Sequence, residues 1–322
     1  GAPPQPQAGG EPGSNRPSDL STTAGGSTGN SGPPASGARA EASSPVTVAS
    51  AQGGTAPAAR WVRGRPLGPG SFGVVFKAFD PMCFRLYAVR EVPLDGAHRQ
   101  RLVEEVGICQ GLRHPNIVAY LGHEHTEHHL RIFLEYVPGG SMASVLSEFG
   151  RLEHKALRRA TRGMLEGLHY LHTRSPPVVH RDIKGANLLV DMSLNVKLGD
   201  YGCSKSNSDS PCFTTLGSVP WMAPEVITRA EGHSCQADIW SFGCTVLEMA
   251  TAEKPWGDGA FENMMVALQR IALSSLSPTL PEHAPEECRG LIAACTQRSQ
   301  TLRPDTAALL QHGFLAQACD AP

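Results

Sequence analysis

A two-lobed α+β fold is predicted by the order of the hydrophobic patterns. From Trp61 to about residue 136 the chain runs in short β-branched and aromatic segments, "GVVFKAFD" and "RLYAVREV" among them. One polar stretch, "RQRLVEEVGICQGL", interrupts them with apolar residues at helical spacing. Beyond Gly139 and Gly140 three- and four-residue spacing takes over, as in "LRRATRGMLEGLHYLH" and "CQADIWSFGCTVLEMAT". A β-rich portion with one main helix, followed by a larger helical portion, puts two lobes on either side of a short linker near "EYVPGG", with ligand space between them.

The chain has 322 residues, 40% hydrophobic and 18% charged, enough to bury the core of one or two domains. A net charge of -2 gives no bulk electrostatic reason for a nucleic acid or an anionic membrane as partner. The nine cysteines include no CxxC pair and read as reduced thiols of a cytoplasmic protein, with the nucleus as the alternative compartment. No apolar run reaches the ~18 residues of a membrane span. Residues 1–59 are dominated by Gly, Pro, Ala, Ser and Thr, with no aromatic residue before Trp61, and read as a disordered low-complexity tail. Residues 316–322 read as a short C-terminal tail.

The first β segments enclose "LGPGSFGVVF", with Gly68, Gly70 and Gly73 in G-x-G-x-x-G register and Val75 after them. Glycines let backbone amides approach an anion unobstructed. The same spacing marks dinucleotide-binding turns, but those open a helix. Here "VVFKAF" reads as a strand, so the segment is expected to be a strand–loop–strand lid over phosphates.

Further motifs follow in order. "VVHRDIKGANLLV" sets Asp182, Lys184 and Asn187 on one loop in the pattern H-R-D-x-K-x-x-N. "KLGDYGCSK" supplies Asp200-Tyr201-Gly202 in the place of D-F-G, and "WMAPEV" supplies Ala223-Pro224-Glu225. With these motifs the chain from about 60 to 315 resembles a eukaryotic protein kinase domain. The resemblance implies a bilobal fold with an N-lobe over about 60–136, a hinge over about 135–140 and a C-lobe over about 141–315. "HRDIKGANLLVD", "DIWSFGCTVLEMAT", "KPW" and "RPDTAALLQHGFL" resemble the MAP kinase kinase kinase family, its MEKK-like branch. Lys184 two places after Asp182 is similar to serine/threonine kinases.

What the resemblance implies is an enzyme that uses ATP and Mg²⁺ to phosphorylate Ser or Thr of a protein substrate, a downstream MAP kinase kinase, and that answers to an upstream activating kinase. Asp182 would accept or orient the hydroxyl proton, Lys184 would meet the γ-phosphate, and Asn187 and Asp200 would hold the metal. Leu67, Gly68, Gly70, Ser71 and Gly73 would cover the phosphates. Val75, Ala88 and Leu189 would sandwich the base, with Leu134 as gatekeeper, the backbone of Glu135 and Val137 meeting adenine, and Ser141 at the ribose. Glu105, with Glu104 as the register alternative, would be the helix carboxylate that pairs the strand cation.

That cation is Arg90, where the family carries lysine. Lys77 shares the face of Val75, but at about 3.3 Å per residue it lies beyond adenine and reads as an ordinary exposed strand lysine. By the same resemblance Asp238 would brace the catalytic loop and Arg181 a phosphorylated activation segment containing Thr214 and Thr215. Glu225 and Arg303 would form a buried pair. Ser218 stands where the family has Thr, with the proline of that run displaced to Pro220. "HEHTEHH", residues 123–129, matches no zinc motif and reads as a solvated hairpin connection; Cys203 reads as an inert thiol. Two functions stay open on these residues. Asp182, Asn187 and Asp200 favour a kinase, whereas Arg90 favours a kinase-shaped scaffold that binds nucleotide or partner kinases with little turnover.

Overall fold

The structure, a computed structural model, describes residues 1, 61–70, 73–94, 106–200, 216–228, 233–257, 261 and 263–316. The chain divides into the units Gly1–Ser44 and Pro45–Pro322, and every element below belongs to the second.

Five antiparallel strands form the first layer: β1 (Val62–Gly70), β2 (Gly73–Asp80), β3 (Arg85–Pro93), β4 (Tyr120–His125) and β5 (His129–Glu135), in the order β1-β2-β3-β5-β4. Because side chains alternate along a strand, register assigns each to a face. Val75 lies opposite Arg90 and Arg90 opposite Ile132; Lys77 lies opposite Ala88 and Ala88 opposite Leu134. These six therefore share the inner face. The outer face carries Phe76, Ala78, Tyr87, Val89 and Phe133, closed by Trp61, whose ring lies 5.7 Å from Phe76 and 5.8 Å from Phe133. Gly73 is required by the packing of β2 on β3: a Cβ there would collide with the backbone carbonyl of Glu91.

The "HEHTEHH" segment differs from expectation. His123, Glu124 and His125 belong to β4 and His129 opens β5, which leaves only residues 126–128 as the connection. Cross-strand pairing explains the difference, since Glu124 faces Arg131 and forms a 2.8 Å ion pair with it. The expected helix over "RQRLVEEVGICQGL" is helical at residues 106–110, with Val106 and Cys109 buried; residues 95–105 lie outside the described residues.

The remainder is helical around one core: α1 (Met142–Phe149), α2 (His154–His172), α3 (Pro224–Thr228), α4 (Cys235–Thr251), α5 (Met264–Leu273), α6 (Glu286–Cys295), α7 (Thr306–Leu310) and α8 (Gly313–Ala316). Helix α2 is amphipathic: Leu157, Met164, Leu165, Leu168 and Leu171 are buried, while Lys155 and Arg159 are exposed. Helix α4 is buried almost all round, from Ala237 to Ala250, the pattern of a helix at the centre of a lobe. Ser234 caps it, accepting the Ala237 N–H at 3.3 Å.

A two-stranded ribbon, β6 (Leu188–Val190) with β7 (Val196–Leu198), lies between sheet and helices. It is bonded on both sides. Val118 N donates to the Leu198 carbonyl at 2.9 Å and Leu198 N to the Asn116 carbonyl at 2.8 Å; Gly139 N donates to the Val190 carbonyl at 3.0 Å and Val190 N to the Gly140 carbonyl at 2.9 Å. The segment that follows β5 is thus tied to the ribbon that carries Asn187 and Asp200 at its ends.

Candidate active site

Asp182, 7% exposed, sits on the loop between α2 and β6. Asp238 fixes that loop from below. Its carboxylate accepts the backbone N–H groups of His180 and Arg181, each at 2.8 Å, and a hydrogen bond from His172 at 2.9 Å. Arg181 has φ of 72°, a left-handed conformation that the Asp238 anchorage sustains. The His180 ring donates to the Gly199 carbonyl at 3.1 Å, joining this loop to the one that bears Asp200.

Around Asp182 two donors converge. Lys184 Nζ lies 3.0 and 2.9 Å from its carboxylate oxygens, and Asn187 Nδ2 reaches its carbonyl and Oδ2, both at 2.8 Å. Lys184 also donates to the Ser218 hydroxyl at 2.6 Å. Ser218, 5% exposed, therefore couples the Ala223-Pro224-Glu225 region to the loop of Asp182 and Lys184 despite the displaced proline.

Across the ribbon, Leu188 pairs with Leu198, and Gly199 N donates to the Asn187 carbonyl at 2.9 Å, which brings Asn187 and Asp200 to the same end. Asp200 has φ of 55°. Above it, Arg90 points from the inner face of β3. Its side chain is 5% exposed, and its Nη1 lies 3.2 Å from Asp200 Oδ1. The carboxylate of Asp200 and the amide oxygen of Asn187, the atom turned away from Asp182, are hard oxygen donors of the kind Mg²⁺ prefers, so this donor set fits that ion.

The inner face supplies apolar walls. Ala88 is buried and lies next to Leu134 on β5; Val75 is half-buried opposite Arg90. Leu189 pairs with Lys197 and bridges to Ser141. The Glu135 N–H is bonded to the Ala119 carbonyl at 2.9 Å, and Val137 is buried in the core. The Ser141 hydroxyl caps α1, accepting the Ser144 N–H at 3.2 Å. Lys77 is half-buried rather than exposed: its ammonium lies 4.5 Å above the ring of Tyr136, where a cation gains from the aromatic quadrupole. Leu67 and Gly68 lie at the far end of β1, with Gly68 opposite Val75 and Gly70 opposite Gly73. Ser71, Glu104, Glu105, Tyr201, Cys203, Thr214 and Thr215 lie outside the described residues.

Two residues of the region went unread in the sequence. Glu248, 8% exposed, accepts the Gly185 N–H and the Trp221 indole N–H, each at 2.9 Å. Burial pushes its carboxyl above the usual range, against the two donors and nearby Lys184. A single carboxylate inside the apolar run "CTVLEMA" was the available signal. His172 is the other; its place as the last residue of α2 gives no sign of the Asp238 contact. Beside Lys184 a groove of about 460 Å³ runs between α1 and α4, lined by Leu146, Gly217, Trp221, Glu248 and Lys254 among others.

A protein kinase domain model matches residues 61–315, most of the chain. The chain belongs to the protein kinase family. This kinase domain is 41% identical over 278 residues to the Arabidopsis thaliana protein "Mitogen-activated protein kinase kinase kinase YODA", covering 84% of this chain and 31% of that one. It is 38% identical over 271 residues to Dictyostelium discoideum "Mitogen-activated protein kinase kinase kinase A" (81% and 28%), and 37% over 273 residues to human "Mitogen-activated protein kinase kinase kinase 19" (80% and 20%). The chain thus spans less than a third of the length of each. In the kinase fold the pair of Glu225 and Arg303 is bidentate, at 2.6 and 2.9 Å, with Arg303 buried. Among the described residues no helix is long and apolar enough to cross a membrane.

Proposed function

We propose that the chain is an ATP-dependent protein serine/threonine kinase of the MAP kinase kinase kinase type, cytoplasmic, with a MAP kinase kinase as its protein substrate and an upstream kinase as its activator. The observation that carries the reading is the convergence of Lys184 and Asn187 on Asp182, with Ser218 as the second partner of Lys184. Phosphoryl transfer asks a protein for positioned groups and local charge more than for covalent chemistry. Asp182, held as an acceptor, orients the hydroxyl and takes its proton. Lys184 stands within reach of both that carboxylate and a transferring phosphoryl group. Asn187 and Asp200 would hold Mg²⁺, which would supply positive charge to offset that of the transferring phosphoryl group. Val75, Ala88 and Leu189 would enclose the adenine, with the Glu135 carbonyl and the Val137 backbone at its edge, and the loop of Gly68, Gly70 and Gly73 over the phosphates. The groove beside Lys184 would seat the polypeptide that flanks the hydroxyl.

A second reading, the scaffold with little turnover, is favoured by one feature: the guanidinium of Arg90 is engaged by Asp200. Arginine keeps the charge of a lysine but is longer and planar, and an error of about 1 Å in a positioning group costs ~10²-fold in rate. The test compares phosphate transfer from ATP to a generic Ser/Thr substrate by the chain, by Arg90→Lys and by Asp182→Asn. Transfer by the chain that vanishes in Asp182→Asn supports the kinase. Transfer seen only in Arg90→Lys sinks it in favour of the scaffold.

A further inference from the structure

Resting on the kinase reading above, we propose that the groove beside Lys184 selects substrates with a bulky apolar residue within a few positions of the acceptor Ser or Thr, and disfavours a charged residue there. Ala143, Leu146 and Trp221 set that choice.

The groove holds about 460 Å³, within the ~300–1,000 Å³ of ligand pockets, which leaves room for a large side chain and the backbone that bears it. Lys184, which lines it, stands 2.9 Å from the carboxylate of Asp182. An extended chain advances about 3.3–3.6 Å per residue, so what enters the groove belongs to the residues that flank the acceptor hydroxyl. Helix α1 forms one wall with Ala143, Leu146 and Ser147, which three- and four-residue spacing sets on one face. None of the three is charged. Trp221, 8% exposed, and Ala252, just past the end of α4, add apolar surface. An apolar side chain gains by leaving water for such walls, whereas a charged one loses hydration without a partner.

The charged residues of the lining do not reverse this. Glu248 is turned to the protein: its Oε2 accepts the Gly185 N–H and the Trp221 indole N–H, each at 2.9 Å, and its Oε1 lies against Gly185, where a Cβ would stand 2.5 Å away. Lys184 already stands near it as a counter-charge, so an incoming arginine or lysine would be repelled by that ammonium. An incoming acidic side chain would meet Glu248 and Asp182. On the rim Glu253 and Lys254 are exposed and of opposite sign, so neither sign of peptide charge gains there.

The experiment uses the whole chain and a set of Ser/Thr acceptor peptides in which each flanking position is in turn Leu, Arg or Asp. It reads phosphate transfer from ATP as kcat/KM, and peptide affinity by fluorescence anisotropy with an ATP analogue present. At one or more positions leucine should exceed arginine and aspartate by about tenfold. Ala143→Glu adds a carboxylate to the wall in the first turn of α1, where a negative charge suits the helix, and should bring the arginine peptide level with the leucine peptide. Both readings are ratios between peptides on the same protein, so a partly unfolded variant does not distort them. Equal use of all peptides, or a preference for a charged residue, overturns the proposal and leaves the kinase reading intact. A leucine preference that Ala143→Glu leaves unchanged places the choice outside this groove and also overturns it. Affinity that favours leucine without transfer to any peptide supports the groove and sinks the kinase reading. Neither transfer nor preference overturns both.

Discussion

His172 donates to Asp238 across 2.9 Å, and through that contact the end of α2 holds the carboxylate that carries the backbone of His180 and Arg181. Burial works against a charge on His172, but its hydrogen bonds to Asp238 and then Cys235 outweigh burial and raise its pKa to about 9. Burial likewise opposes ionisation of Asp238, and His172 outweighs it, leaving that carboxyl below its usual range. A raised imidazole binds its proton more tightly in the folded state. Its stabilisation is therefore present in full below the ordinary value of 6.5, declines as pH rises and is gone above about 9. The lowered carboxyl acts on the other side, losing its contribution as pH falls below 3.8. Chemical denaturation at a series of pH values should show a loss of a few kcal/mol between pH 6.5 and about 9, and His172→Gln should flatten that slope. An unchanged slope in the variant would assign it elsewhere.

Arg303 and Glu225 give the second prediction. The guanidinium is buried and reaches, besides both carboxylate oxygens, the carbonyls of Gln297 and Gln236 at 2.7 and 2.8 Å. Truncating one partner of a buried pair leaves the other charge uncompensated, a cost of ~3–5 kcal/mol. Arg303→Ala should lose that much by urea denaturation, and Arg303→Met with Glu225→Leu should recover part of it. A double variant less stable than the single one would show that the carbonyl contacts, not the ion pair, carry the effect.

The limits of the sequence lie where a role depends on distant partners. Alternation in "GVVFKAFD" and "RLYAVREV" disclosed β2 and β3, and the helical spacing of "CQADIWSFGCTVLEMAT" matches α4 from Cys235 to Thr251. Ordered motifs also put Asp182, Lys184 and Asn187 on one loop. Spacing could not report that Arg90 turns to Asp200, because that contact joins residues far apart in the chain through β3 and the end of β7. Nor could it separate a cap from a ligand contact at Ser141, since a hydroxyl before a helix suits both. Nor does the sequence pattern around Lys77 disclose its partner, because Tyr136 lies on the segment after β5.

Glu248 is expected to matter to the loop that carries Lys184. It takes the N–H next to Lys184 and the indole of Trp221, and Gly185 has no space for a side chain, since a Cβ would stand 2.5 Å from Glu248 Oε1. Glu248→Ala leaves two buried donors unpaired, each costing ~1–3 kcal/mol. Glu248→Gln keeps an acceptor and should stay within ~1 kcal/mol of the parent. Thermal denaturation of both variants checks this; equal losses would mean that volume, not hydrogen bonding, is what the helix needs there.

Gly73 supplies the last prediction, because it separates a backbone constraint from a packing preference. Its missing side chain lets β2 approach the Glu91 carbonyl on β3, one residue from Arg90, so any Cβ forces the two strands apart where the cation is held. Gly107, in helical residues 106–110, is exposed with open space around it, and alanine there gains helix propensity. Gly73→Ala should therefore lose ~1–3 kcal/mol of stability through overpacking. Gly107→Ala should be neutral or up to ~1 kcal/mol more stable. The displacement of β3 should also appear in nucleotide affinity, falling about tenfold in Gly73→Ala and not at all in Gly107→Ala. Equal stability of the two variants would mean that the sheet opens at little cost, and the close approach of β2 to β3 would then not be what positions Arg90.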